Sequence, residues 1–208
     1  MNKRSAVSNA SRNSLRVLLD LDQVLADFEG YFLELFRQKY PEHPFIPLEK
    51  RKGFHLTEQY KHLHPDAVEK TREIYHAEGF FYNLPEIPGA CSAAKEMAAM
   101  DGVDVFICTS PMLTNEHCFV EKIRWVNDHL GPEWRGRTII TRDKTIANGH
   151  ILIDDNLKIL GACARPTWDH VVFRACHNRD AKLRGRSVLE NWTDGSWRDL
   201  IEDYLKRI

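Results

Sequence analysis

The chain has 208 residues, and its 29 Lys and Arg against 30 Asp and Glu give a formal net charge of −1; that length allows one domain, or one with a modest insertion, and argues against two. Hydrophobic residues at 43% and charged residues at 28% match globular averages and exclude disordered and fibrous classes. The balanced charge gives no global field to draw the chain to polymeric nucleic acid or an anionic membrane, so any anion it binds must be held by a local site.

In chain order, residues 1–14 read as a flexible tail. Lys3, Arg4, Arg12 and Arg16 among serines, with no acid up to Arg16, leave a mitochondrial targeting segment as the alternative. RVLLD at 16–20 is the first of several short apolar, β-branched runs without polar alternation, as expected of strands buried on both faces of a parallel sheet. Residues 29–87 carry helical segments (GYFLELFRQKY and DAVEKTREIYHAEG) and no buried-strand run, so a small helical insertion is expected there, rising from the carboxyl end of the first strand as a lid. Beyond it, strand-like runs at 103–110, 137–142, 150–155 and 170–175 alternate with helical stretches. One spans 88–100, with Pro88 as a plausible first-turn residue, and another spans 115–131, closed by Gly131. The terminal SWRDLIEDYLKRI reads as an amphipathic helix. The alternation predicts an α/β protein, a Rossmann-like doubly wound parallel sheet formed by 15–28 and 88–208, with the helical insertion at 29–87.

Cys91, Cys108, Cys118, Cys163 and Cys176 make an odd count with no C-x-x-C pair, and read as reduced thiols of an intracellular protein. Cys118 beside His117 lacks two further ligands at zinc spacing. No apolar run approaches the ~18 residues of a membrane span, and the first sixteen residues lack the apolar core of a secretory signal. A cytoplasmic, non-membrane protein is the expectation.

Ligands of an open parallel sheet bind beyond the carboxyl ends of its strands. There stand Asp20 and Asp22, Thr109 and Ser110, Arg142 and Lys144, and Asp154 with Asp155. Solvated loops are polar too, but they do not call for carboxylates on two strands opposite hydroxyls and cations on two others. This set suits phosphoryl transfer through a carboxylate. Asp20 and Asp154 can hold one Mg²⁺, a hard ion that takes carboxylates, phosphate oxygen and water. Thr109 and Ser110 can donate to phosphate oxygens, with Lys122 and Lys144 as the candidate lysines. With Asp22 protonated, phosphate, Asp20, Asp154 and Asp155 carry about −5 and Mg²⁺, Lys122, Arg142 and Lys144 about +5, so the loaded site is near neutral. Asp22 lies two residues beyond Asp20, on the same side of an extended chain, the spacing of a nucleophile and an acid/base partner.

DLDQVLADF, FICTSP, the lysine of VEKIRWV, and TRDKT followed by ILIDD resemble, in order and spacing, the four motifs of the haloacid dehalogenase superfamily. RVLLDLD, LEKRKGF, EQY, IPGA, KEMA, VFICTSP, HLGP, TRDKT, LIDD and FRACHNR resemble its 5'(3')-deoxyribonucleotidase branch over nearly all of residues 15–204. The resemblance implies a Rossmann-like core with a helical cap, Mg²⁺ dependence, and hydrolysis of deoxyribonucleoside monophosphates with uracil and thymine nucleotides favoured. By position it implies Asp20 as nucleophile and Asp22 as acid/base, and Mg²⁺ on Asp20, the Asp22 carbonyl and Asp154. It further implies phosphate on Thr109, Ser110 and Lys122, substrate contacts from Arg142 and Lys144, and Asp155 in support. Phe28, Phe54 and Tyr75 match an apolar wall around the nucleoside, and related enzymes form homodimers. Two departures stand out. Gln23 replaces the usual glycine after the second aspartate and would be strained if its backbone needs a positive φ, and His55 stands at a cap position that is aromatic in some relatives.

The rival readings are a phosphatase of another small phosphomonoester such as a sugar phosphate, and a non-catalytic phosphate-binding module, which would be expected to lose Asp20 or Asp22. A haloacid dehalogenase proper would need neither the second aspartate nor Mg²⁺.

Overall fold

The computed structural model describes residues 14–183 and 185–208; the tail expected at 1–14, apart from Ser14, and its targeting alternative lie outside the described residues. Six strands form one wholly parallel sheet: β1 (Leu15–Leu19), β2 (Val103–Thr109), β3 (Thr138–Ile140), β4 (Ile151–Asp154), β5 (Asp169–Phe173) and β6 (Val188–Leu189). Their spatial order is β3-β2-β1-β4-β5-β6. This is the doubly wound Rossmann order, whose direction reverses at β1 and opens a crevice there. β1 explains its central place by composition: Leu15, Val17, Leu18 and Leu19 are all fully buried, each contributing on the order of 1.5–3 kcal/mol of transfer free energy.

β3 sits at one edge and is only three residues long, shorter than the run at 137–142 suggests, which keeps an unpaired edge small. β6, at the other edge, has two residues, too few to leave a periodic signal. The helices are α1 (Phe28–Lys39), α2 (Leu56–Tyr60), α3 (Ala67–Tyr75), α4 (Ala90–Ala98), α5 (Cys118–His129) and α6 (Ser196–Leu205). Gly89, at φ 80°, caps α4, so Pro88 precedes the cap instead of occupying the first turn. Gly131, at φ 123°, follows the Leu130 cap of α5 and ends that helix as its sequence indicates.

Between β1 and α4 the described chain forms helices and turns and no strand. The chain leaves and returns at one place: Asp27 N–H donates to the Pro85 carbonyl (2.8 Å) and Ile87 N–H to that of Leu25 (2.8 Å). Asp27 starts α1 by accepting the Gly30 N–H (2.9 Å). Phe32 and Phe36 of α1 pack edge-on against Tyr60 of α2, with ring centroids 5.5 and 5.2 Å apart. The segment thus has its own buried aromatic cluster, continuous with the core under the sheet. All five cysteines are free, and no helix among the described residues is long and apolar enough to cross a membrane.

Candidate active site

Leu19 of β1 lies in register with Ile107 of β2 and Ile153 of β4. Just beyond this level Asp20, Thr109 and Asp154 reach the carboxyl end of the sheet together, at the crevice. Asp20 N–H donates to the Ile153 carbonyl (2.9 Å), which sets Asp20 beside Asp154, while Thr109 ends β2 alongside. Beyond them opens a cavity of about 410 Å³, within the range of small-molecule sites. Every candidate site residue taken from the sequence lines it, from Asp20, Asp22 and Asp154 to Phe28, Phe54, His55, Tyr75 and Arg142.

Two lysines organise the floor. Lys144 Nζ stands between the carboxylates of Asp20 (2.7 Å) and Asp154 (2.6 Å), its backbone fixed by the Trp168 indole N–H on its carbonyl (3.1 Å). Burial works against its charge, but Asp154 and Asp20 outweigh burial and hold the ammonium above its ordinary value. Lys122, carried into the crevice by α5 and buried, reaches Asp22 Oδ2 (2.9 Å), Thr109 Oγ (3.0 Å) and the Ser110 carbonyl (2.6 Å). Its neighbour Glu121 turns the other way and accepts the N–H groups of Gly79 (2.6 Å) and Phe81 (3.0 Å). One turn of α5 thus clamps the returning chain with a carboxylate and places a cation in the crevice. Burial raises Asp22 above the usual carboxylate range, against the pull of Lys122, the direction a proton donor requires. Burial also raises Asp20, with Lys144 opposing.

Oxygens of Asp20, Asp154 and Asp155, all buried, lie within 4.8 Å of one another. Asp155 Oδ1 has no hydrogen-bond partner among the described residues, and burial with the nearby charges of Asp154 and Asp20 raises its carboxyl well above the usual range. A buried carboxylate oxygen without a partner is costly, and three hard oxygen donors at this spacing fit a divalent cation. Asp154 is steadied by the Asn156 N–H on Oδ1 (2.8 Å).

Arg142 is exposed at the rim and donates to the Pro111 carbonyl (3.3 Å). Among the aromatics the structure separates two kinds. Phe54 is 44% exposed in the cavity, touching the rings of His55 and His177 edge-on. Tyr75 is only 8% exposed and packs with Phe28 (ring centroids 6.2 Å), as a core residue would. Gln23 does have a positive φ, 59°, alone among the described non-glycine residues.

Sequence reasoning missed a second buried chain of ionisable groups. His177 lies 3.3 Å from Asp155 Oδ2 through Nε2 and 3.7 Å from Glu29 Oε1 through Nδ1. Glu29 in turn is gripped by Arg51 through Nε (2.8 Å) and Nη2 (2.6 Å). The chain runs from the crevice to the segment after α1. Its one sequence signal is a glutamate on the otherwise apolar face of α1, next to Phe28.

The family model described as "5' nucleotidase, deoxy (Pyrimidine), cytosolic type C protein" matches residues 13–203. The chain is 48% identical over 190 residues to the human cytosolic 5'(3')-deoxyribonucleotidase, covering 91% of this chain and 94% of that protein. It is 45% identical to the human mitochondrial 5'(3')-deoxyribonucleotidase, covering 93% and 85%. A putative 5'(3')-deoxyribonucleotidase of Bordetella pertussis is 44% identical, with 85% and 92% covered. Among solved structures, a haloacid dehalogenase family hydrolase from Deinococcus radiodurans superposes with a TM-score of 0.61 at 18% identity, over 93% of this chain and 97% of that one. A haloacid dehalogenase-like hydrolase from Streptococcus pneumoniae gives 0.60 at 11% identity, over 92% and 99%. Fold, extent and identity agree: the chain belongs to the 5'(3')-deoxyribonucleotidase family of phosphoric monoester hydrolases, on a haloacid dehalogenase-like fold.

Proposed function

We propose that the protein hydrolyses deoxyribonucleoside 5'- and 3'-monophosphates, dUMP and dTMP foremost, through a phosphorylated Asp20. The observation that carries this reading is the placement of Asp20 at the floor of the 410 Å³ cavity, with Lys144 on one carboxylate oxygen and Phe54 exposed at the wall. An Asp20 oxygen attacks phosphorus, the bond to the nucleoside oxygen breaks, and Asp22 gives that oxygen its proton. Asp22 then takes a proton from water, which attacks phosphorus and frees Asp20. Thr109, Ser110 and Lys122 hold the phosphate oxygens, and Lys144 offsets the charge of the Asp20 and Asp154 carboxylates. Asp20, the Asp22 carbonyl and Asp154 would hold Mg²⁺, with Asp155 in support, and the ion when bound supplies positive charge that lets anion approach anion.

Residues 15–28 and 88–208 form the phosphohydrolase core on this reading, and 29–87 form a cap that chooses the substrate. Phe54 offers a flat apolar face to the base, Phe28 and Tyr75 back it, and His55 and Arg142 stand at the rim. Phosphate release from dUMP, dTMP, their 3' isomers, UMP and glucose 6-phosphate, with and without Mg²⁺, tests the proposal. Mg²⁺-dependent turnover with the highest kcat/KM on dUMP or dTMP supports it, whereas preference for the sugar phosphate overturns the substrate assignment. In the same assay Asp20→Asn should lose at least ~100-fold in kcat, about 3 kcal/mol of barrier.

A further inference from the structure

A separate group of metal-ligating side chains lies within the helical segment. His43 follows α1 in a turn closed by its own N–H on the Tyr40 carbonyl (3.1 Å), and His64 and Asp66 flank Pro65 immediately before α3. One nitrogen of each imidazole and an Asp66 oxygen lie within 4.8 Å of one another. His64 Nδ1 contacts Asp66 Oδ1, and His43 Nδ1 points at the same oxygen from 3.9 Å. The two rings stand at 85°, with centroids 5.2 Å apart. None of the three lines the cavity at the sheet.

A plain surface ion pair accounts for His64 and Asp66 and leaves His43 unexplained. At 3.9 Å it is beyond hydrogen-bond reach of the oxygen it faces, and its ring makes no hydrogen bond to protein among the described residues. The surroundings hold the donors in place. Lys70 Nζ takes the other Asp66 oxygen (3.1 Å) and lies 4.6 Å over the Tyr40 ring, and Tyr40 packs edge-on against His43 (5.7 Å). Pro44 and Pro65 follow the two histidines and restrict their backbones, so less freedom is lost when the donors converge. Such outer partners orient metal ligands.

We infer that His43, His64 and Asp66 bind a divalent metal ion of the imidazole-preferring class, Zn²⁺ foremost, that ties the end of α1 to the start of α3. Two neutral imidazole nitrogens and one carboxylate oxygen suit late first-row ions and leave the remaining positions to water, whereas Mg²⁺ prefers oxygen donors throughout. Lys70 repels the ion but pairs with the outer oxygen at a half-exposed site, where water screens it. The inference is independent of the reading of the cavity.

The test is Zn²⁺ stoichiometry by equilibrium dialysis in excess Mg²⁺, on wild type, the His43→Ala/His64→Ala double variant and the gentler His43→Gln. Wild type should bind one equivalent more than either variant and show Co²⁺ visible absorption that both lack. Zn²⁺ should raise its Tm further than theirs, because an ion held by the folded state alone stabilises it. His43→Gln keeps the size and polarity of the site, and circular dichroism with retained phosphatase turnover confirms that the variants fold. Equal stoichiometry and equal Co²⁺ spectra in wild type and His43→Gln would overturn the assignment, whether the shared number is zero or one.

Discussion

Gln23 Oε1 accepts the Glu29 backbone N–H at 2.8 Å from a residue whose own φ is 59°. The residue that carries the strain thus also satisfies one of the open donors at the start of α1. A left-handed backbone at a side-chain-bearing residue costs roughly 1–2 kcal/mol, and a bond of this capping type contributes about 1 kcal/mol. Gln23→Gly relieves the first and loses the second, so its stability in urea should stay within about 1 kcal/mol of wild type. Gln23→Ala keeps the strain and loses the bond, and should fall by about 1 kcal/mol. An alanine variant as stable as wild type would mean that the bond to Glu29 contributes nothing.

His170 gives a pH prediction. Its Nδ1 accepts from Arg186 (3.1 Å) and its Nε2–H donates to the Asp154 carbonyl (3.2 Å), an arrangement that requires the neutral ring. Burial, with Arg186 and Lys144 adding to it, pushes the imidazole from 6.5 down to about 4. A depressed value means stability that is present above 6.5 and lost as pH falls from there towards 4. Asp20, Asp22 and Asp155, raised by burial, act in the opposite sense, losing stability as pH rises through their values. The contribution of His170 is therefore isolated by comparing wild type with His170→Gln in Mg²⁺-free buffer. The two Tm curves should converge between pH 6.5 and 4, the range over which the folded histidine resists protonation. A constant separation would show that the ring titrates alike in both states.

The crevice was legible because its residues follow strands whose apolar runs are unmistakable: with RVLLD, VFIC and ILID identified, Asp20, Thr109 and Asp154 must emerge at one end of a parallel sheet. Lys122 was legible only through its motif, since nothing in the periodicity of α5 marks a lysine that is fully buried. The pairing of Glu29 with His177 was not legible, because Glu29 stands at the start of the expected helical insertion and His177 beyond the last expected strand run, and their proximity depends on how residues after β5 fold back. Asn178 makes that return, donating to the carbonyls of both Asp155 and Phe173 at 2.9 Å. β6 was missed because two residues carry no period. The sequence treats Phe54 and Tyr75 alike, and only packing separates them.

That separation predicts different behaviour of the two aromatics. Phe54, 44% exposed, should lose little stability on truncation. Phe54→Ala should raise KM for dUMP and dTMP by about 5-fold or more, as expected for a lost base–aromatic contact of ~1–3 kcal/mol, and should spare a small aliphatic phosphate ester. Tyr75→Ala should also lower Tm, because the ring is only 8% exposed and packs on Phe28. Equal KM effects of Phe54→Ala on the nucleotides and on the small ester would remove Phe54 from the substrate wall.

Asp22 tests the proposed order of proton transfers. It lies 2.9 Å from Lys122 with its carboxyl raised by burial, placed to give a proton in the first step and take one in the second. A nucleoside alkoxide needs that proton to leave, whereas p-nitrophenolate leaves without it, so Asp22→Asn should slow phosphorylation of Asp20 by dUMP far more than by p-nitrophenyl phosphate. Water attack on the phosphorylated enzyme lacks its base with either substrate. The variant should then release a burst of about one nitrophenol per active site and stall as a phosphorylated Asp20, detectable by mass, while dUMP gives no burst. Wild type must first be shown to turn over the aryl ester. If it does, and the variant gives no burst or slows equally on both substrates, Asp22 does not protonate the leaving group and its carboxylate serves to anchor Lys122 beside Thr109.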